Sequence, residues 1–285
     1  MKSATPYTFL CFFLITLSTY AQGRFDKVTI TTTQLTNHTY MLVGAGGNIG
    51  VSIGEDGVLI IDNQFAPLTK KIVNALKKLS DKLVKYVMNT HHHGDHTGGN
   101  ENFGNIGATI MAHDNVKKRL KEKSPEAAIP VITYNDKLTV QINGEEVIVI
   151  HVDNAHTDGD SLLYFTQSNV LHTGDTYFNG RYPYIDLKSG GSVNGYINAV
   201  KTGLMLIDEN TKIIPGHGEL SNKAEYETFL NMLKNVKTKV LAEIKAGKTE
   251  DDVAANTSIT KTYDDLDYGC CFINSEKIEG RFIRV

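Results

Sequence analysis

Residues 89–100 (NTHHHGDHTGGN) hold four histidines and an aspartate within six positions, directly after an apolar β-type run at residues 83–88 (LVKYVM). A strand that ends in metal-ligand side chains, followed by glycines, can hold a site at its carboxyl edge. Alternate side chains of an extended backbone point the same way, so His91 and His93 can face one ion while His92 points away. Gly94 lets the chain turn, and Asp95 and His96 just beyond it cannot easily join the same four-coordinate ion. The spacing H-x-H-x-D-H therefore points to a pair of metals rather than one.

Such a site needs more ligands than one stretch supplies, and three further candidates follow β-type runs. His156 lies in NAHTDGD after a run ending near Val152. Asp175 lies in HTGDT, and His217 in IIPGHG. Each sits beside glycine or another small residue. The other histidines, His38, His92, His113, His151 and His172, are expected to be structural, with His172 the best outer-shell candidate because it precedes Asp175 by three residues. Asp62, at the end of the VLIID run, is equally compatible with orienting a ligand histidine and with capping a turn.

Elsewhere the chain is read in order. Residues 27–35, 38–43, 49–53 and 58–62 predict strands, with a turn at 55–57. The glycine-rich residues 44–48 lack the spacing and following helix of a dinucleotide site and predict a turn in a β-meander. Residues 68–79 (LTKKIVNALKKL) place apolar side chains at helical spacing with lysines opposite. A strand at 108–112 and a basic helix at 114–123 follow. Two hairpins are then expected, around Asn143-Gly144 and Ser168-Asn169. A helix at 193–207, a strand at 212–214 and a long amphipathic helix at 222–245 complete the pattern. Strands, helix, strand, ligands, helix occurs twice without a Pro/Ser-rich linker. Two mixed sheets packed together with helices outside accommodate it.

Taken together, H-x-H-x-D-H, a lone histidine, G-D and P-G-H-G resemble the metallo-β-lactamase-fold hydrolase superfamily across nearly the whole chain after its leader. The resemblance implies an α/β fold, an αββα four-layer sandwich of two mixed sheets with helices outside. It implies a dinuclear centre, usually two zinc ions, with iron or manganese as other divalent candidates. Carried over by motif, His91, His93 and His156 would hold one metal. Asp95, His96 and His217 would hold the second, with Asp175 between them. Two cations sharing a water would make hydroxide available at neutral pH, with Asp95 orienting it as the catalytic side chain.

The implied substrate is a small ester, lactone or lactam. True β-lactamases of the superfamily often lack a carboxylate where Asp175 stands, so the lactonase, thioesterase, phosphodiesterase and sulfatase branches are nearer in pattern; β-lactam hydrolysis remains an alternative. A di-iron redox protein is the remote one, disfavoured because no flavodoxin-like pattern follows residue 250. Residues 176–186 (TYFNGRYPYID) offer the site an aromatic wall and one cation, Arg181, and residues 189–192 a turn that could border it.

A formal net charge of -3 gives no footprint for a polyanion, so nucleic acid is not an expected partner. Residues 9–17 (FLCFFLITL) are too short to span a bilayer, and TYA before Gln22 offers small residues for cleavage. Residues 1–21 are expected to be a signal peptide and 22–285 a single hydrolase domain, secreted or periplasmic and not membrane-inserted. Cys270 and Cys271 are expected to be two small buried thiols rather than a vicinal disulfide.

Overall fold

A computed structural model describes residues 23–283. The leader expected over residues 1–21 lies outside the described residues. Seven strands form one sheet in chain order, and five form a second in the order β12-β11-β10-β9-β8. The first contains β1 (Thr31–Gln34), β2 (Thr39–Val43), β3 (Ile49–Gly54), β4 (Gly57–Ile61), β5 (Val84–Met88), β6 (Thr109–His113) and β7 (Ile132–Tyr134). Its first four strands run antiparallel, and β4 to β7 run parallel. The second contains β8 (Lys137–Ile142), β9 (Glu145–His151), β10 (Ser161–Phe165), β11 (Val170–His172) and β12 (Lys212–Ile214), antiparallel except for the β11–β12 pair.

The helices are α1 (Thr69–Leu76), α2 (Gly94–Thr97), α3 (Asn100–Asn105), α4 (Asp114–Lys121), α5 (Val193–Leu206), α6 (Lys223–Lys245), α7 (Glu250–Ala254), α8 (Lys261–Asp264) and α9 (Ser275–Ile283).

The apolar run of β4 shows why these layers form. Side chains alternate across a strand, so a strand apolar on both faces must be covered on both. Val58 and Ile60 pack with Leu68, Ile72 and Leu76 at α1 and with Phe103 of α3. Leu59 and Ile61 turn the other way and meet Val147, Val149, Leu163 and Ile214 of the second sheet. The far face of that sheet, through Leu162, Leu171 and Ile213, packs on α5 and α6 through Tyr196, Val200, Phe229 and Leu233. The result is the αββα sandwich that the sequence resemblance implies.

Both predicted hairpins form. Asn143 and Gly144 take left-handed φ of 55° and 75°, as a two-residue turn matching the sheet twist requires. Strand β7 was not expected; it is only three residues long and carries no alternation of its own. Residues beyond α6 were also not resolved into elements by sequence pattern. There α7 to α9 fold back, burying Val253, Ile259, Ile273, Ile278 and Phe282 in the cluster shared with Leu233 and Val240. The expectation of two buried thiols is corrected: Cys270 and Cys271 are exposed and joined by a disulfide. They lie in the surface turn between α8 and α9, where Ile273 rather than either cysteine enters the core.

Glu279 of α9 is fully buried; its Oε1 accepts from the Thr260 hydroxyl at 2.9 Å and its Oε2 has no partner. Burial pushes its carboxyl up to about 7, opposed by the Thr260 hydrogen bond and reinforced by the charge of Asp264. Folding thus favours the protonated acid. That contribution is complete below the ordinary value of 4.5 and is lost as pH rises through about 7. Denaturant titrations should find Glu279→Gln close to wild type at pH 4.5, and more stable at pH 8 by about 1 to 3 kcal/mol. Equal stabilities at both pH values would contradict this.

Candidate metal centre

Four strand ends deliver the candidate ligands to one rim. β5 leads into His91 and His93 and, through the single turn of α2 begun by Gly94, into Asp95 and His96. β9 leads to His156, β11 to Asp175 and β12 to His217. The fold brings all seven together as two groups. One is His91, His93, His156 and Asp175, and the other is Asp95, His96 and His217, the ligand atoms within each lying within 4.8 Å of one another.

Asp175 joins the two groups. Its Oδ2 lies 3.5 Å from His156 Nε2 and 3.8 Å from His91 Nε2. Its Oδ1 lies 3.0 Å from His96 Nε2 and 3.4 Å from His217 Nε2. At the mouth, Asp95 Oδ2 is 3.5 Å from His217 Nε2.

The electrostatics of the two groups differ. Burial lowers His91 well below the ordinary imidazole value, and burial takes His156 down to about 4, so both rings are neutral. Burial opposes charge on His96 and His217 too. Asp175, Asp62 and Asp95 outweigh it at His96, which lies well above its ordinary value; Asp175 and Asp95 raise His217 to about 9. Burial would also raise Asp175, but His96, His217 and His91 hold it well below the usual carboxylate range.

Surrounding groups aim the ligand rings. Asp62, in a left-handed conformation (φ 62°), accepts from the Thr90 amide at 2.9 Å and hydroxyl at 2.7 Å, and its Oδ2 lies 2.7 Å from His96 Nδ1. Of the two roles its sequence position allowed, it therefore takes the orienting one. The Tyr184 carbonyl lies 2.6 Å from His156 Nδ1, and Asp186 Oδ2 lies 3.0 Å from His93 Nε2. Tyr196 of α5 donates to the Asp175 carbonyl at 2.5 Å. These contacts fix tautomer and ring angle, and they leave the opposite nitrogens pointing inward.

His172 is buried. It accepts from the Gly174 amide at 3.1 Å, and its other nitrogen lies 3.2 Å from the Asn48 carbonyl, so it holds the loop that carries Asp175. His92 turns away toward Ser189, 3.5 Å off.

Sequence reasoning treated the glycine-rich loop after β2 as a plain turn. It lies under the site. A Cβ on Gly47 would sit 2.1 Å from the His96 ring, and one on Gly216 would sit 2.1 Å from Asp175 Oδ1. Asn48 ties this loop to the second sheet by donating to the Pro215 and Gly218 carbonyls, both at 2.9 Å. A run of glycines near the amino end, with a P-G-H-G stretch to pack on, was the available signal.

A cavity of about 440 Å³ opens onto the ligands, lined by Phe65, Gly94, Phe178, Tyr184 and Phe272 together with His93, Asp95, Asp175 and His217. Phe178 and Tyr184 supply the aromatic wall expected from residues 176–186. Arg181 does not line the cavity. Its neighbour Tyr182 is buried among α8 contacts, which carries this part of the loop away from the mouth.

The residues present fit divalent cations. His91 Nε2 is buried without a hydrogen-bond partner, and His96 Nε2 and Asp175 Oδ1, 3.0 Å apart, do not form a well-aligned one, whereas buried polar atoms are normally satisfied. His93 Nδ1 and His156 Nε2 converge to 2.8 Å, an approach that lone pairs tolerate only with a proton or cation between them. Imidazole and carboxylate donors suit zinc and its divalent neighbours.

Comparison with known proteins agrees with this geometry. The metallo-beta-lactamase superfamily profile matches residues 42–217. The hydroxyacylglutathione hydrolase of Pelagibacter ubique is 30% identical over 187 residues, covering 64% of this chain and 66% of that protein. The alpha subunit of 2,4-dinitroanisole O-demethylase from Nocardioides sp. is 26% identical over 205 residues, 70% of this chain and 61% of that protein. The chain thus spans less than two thirds of the length of either curated relative. The structure of a metallo-beta-lactamase from Pontibacter korlensis superposes with a TM-score of 0.65 at 16% identity, over 73% of this chain and 100% of that one, a likeness of fold. With the profile spanning the motif set from β2 to His217, and two candidate ligand groups meeting at a shared carboxylate, the chain belongs to the metallo-beta-lactamase superfamily.

Proposed function

We propose that the protein is a hydrolase of a small ester, lactone or lactam, with His91, His93 and His156 holding one zinc ion, Asp95, His96 and His217 a second, and Asp175 shared by both. The observation that carries this reading is the division of Asp175, one oxygen toward each histidine group. A divalent pair, when bound, supplies Lewis acidity toward the scissile group and acidifies water.

The chain's own residues do the rest. Asp95 is the ligand-group carboxylate that reaches the cavity mouth, its side chain 24% exposed. Burial pushes its carboxyl up, but His96 and the hydrogen bond with His217 hold it below its ordinary value, so it is an anion at neutral pH. There it orients the attacking water by accepting its hydrogen bond. Phe65, Phe178 and Tyr184 limit solvent at the reacting atoms. Asp62 and Asp186 keep the ligand rings at fixed angles, so little reorganisation accompanies the reaction.

A small substrate agrees with a cavity of about 440 Å³. The name of the Nocardioides relative gives an aryl ether as that protein's substrate, and that of the Pelagibacter relative a thioester of glutathione. The test is a panel of ester, lactone, β-lactam, phosphodiester and sulfate substrates on zinc-loaded protein, with Asp95→Ala as control. Turnover of at least one carboxylic ester, lactone or lactam is expected, with kcat reduced in the variant by about 10²- to 10⁴-fold. Wild-type turnover by Asp95→Ala would remove its role.

The proposal includes export: cleavage before Gln22 and a single catalytic domain over residues 22–285, in the periplasm or outside the cell. Among the described residues no helix is long and apolar enough to cross a membrane. The amino-terminal mass of the purified protein tests the cut.

A further inference from the structure

The cavity over the ligands has a wall that comes from outside the profile-matched region. The profile ends at residue 217, whereas Phe272 lies in the turn between α8 and α9. The residue is 52% exposed, yet its ring stands 5.1 Å from the His217 ring and 6.3 Å from that of Phe178, both of which line the cavity. An aromatic ring left in water beside a reacting centre is apolar surface that a ligand gains by covering.

The ring is held in place. Ile273, next in the chain, is buried in the α5–α6 core, and Cys271, just before, is bonded to Cys270. The turn is tied to the residues after Asp175 by the Tyr182 amide on the Tyr268 carbonyl at 3.0 Å, and by the Tyr182 hydroxyl on Asp264 at 2.8 Å. The Ser275 hydroxyl donates to the same carboxylate at 2.7 Å. Phe272 is therefore held in the cavity wall beside Phe178 and His217.

The chemistry of the lining narrows what fits. Apart from the candidate ligands, the cavity presents Phe65, Gly94, Phe178, Tyr184 and Phe272, and among the described residues no lysine or arginine lines it. The guanidiniums of Arg24 and Arg281 stack on the lining rings Phe65 and Tyr184, at 5.1 Å and 4.8 Å. An anionic substrate arm would meet the Asp95 carboxylate at the mouth, whereas a neutral apolar arm would cover the aromatic side chains of Phe178 and Phe272.

We propose that Phe272 is the specificity-determining wall of this site, selecting substrates with an uncharged aryl or medium-length alkyl group next to the scissile bond. The inference rests on the hydrolase reading above and names its substrate class.

The test uses calorimetric titration of zinc-loaded full-length protein with acetohydroxamate, benzohydroxamate and octanohydroxamate, on wild type, Phe272→Leu and Phe272→Ala. The wild type should bind the benzo and octano compounds about 10- to 100-fold more tightly than acetohydroxamate. Phe272→Ala should lose about 5- to 10-fold of that preference while leaving acetohydroxamate affinity and zinc content unchanged, and Phe272→Leu should keep most of it. Equal affinities across the wild-type series, or a full preference in Phe272→Ala, would overturn the inference. Failure to bind any hydroxamate would instead overturn the metal-hydrolase reading on which it rests.

Discussion

Asp175→Asn is expected to leave a protein that folds when metal is supplied but turns substrate over about 10³-fold more slowly or worse. The two carboxylate oxygens divide between the histidine groups, at 3.5 Å from His156 on one side and 3.0 Å from His96 on the other. An asparagine offers one oxygen and one NH2, and the NH2 is a donor that cannot serve as a ligand. One group therefore loses its shared member, and the site loses a negative charge that offsets the cations. Without metal the same substitution leaves the raised imidazoles of His96 and His217 without their main counter-charge. Breaking a buried pair by removing one partner costs about 3 to 5 kcal/mol. Kinetics and metal content on one preparation check both parts. Turnover within a few-fold of wild type would show that Asp175 is not shared.

A comparably large effect on stability is expected at Asp62. It is fully buried and contacts three polar groups, the Thr90 amide, the Thr90 hydroxyl and His96 Nδ1. Asp62→Ala leaves all three in a site closed to water, at a cost of about 3 to 5 kcal/mol in denaturant unfolding. It also frees the His96 ring to rotate, which lowers affinity for metal about 10- to 100-fold in chelator competition. Asp62→Asn should be milder, because asparagine tolerates the left-handed φ of 62° and keeps one acceptor. An alanine variant with wild-type stability and metal affinity would show that Asp62 is only a strand-end cap.

Much of this was legible along the chain because ligand-type side chains at strand ends leave a local signature. An apolar β run followed at once by histidine, aspartate and glycine marks residues 91–96, Asp175 and His217 without any knowledge of pairing. The doubled order of strands, helix, strand, ligands and helix was legible too, and it accommodates two mixed sheets with helices outside. What escaped depends on contacts between distant residues. Gly47 is constrained by the His96 ring, and Asn48 by carbonyls near residue 216, and the run of glycines around them does not name those partners. Asp62 was ambiguous because a strand-end aspartate looks the same whether it caps a turn or holds a ring. Arg181 was placed at the site by adjacency alone, while the structure has Phe272 there, about 180 residues beyond the first ligands. Cys270 and Cys271 show the same limit: adjacency does not tell whether a pair lies in a core or on a turn.

Zinc-edge anomalous diffraction from crystals of the zinc-loaded protein tests the central claim most directly. Two peaks per chain are predicted, one among His91, His93 and His156 and one among Asp95, His96 and His217, with Asp175 between them. A single peak, or a second one seated instead among His92, His93 and Asp186, whose ligand atoms also lie within 4.8 Å of one another, would contradict it.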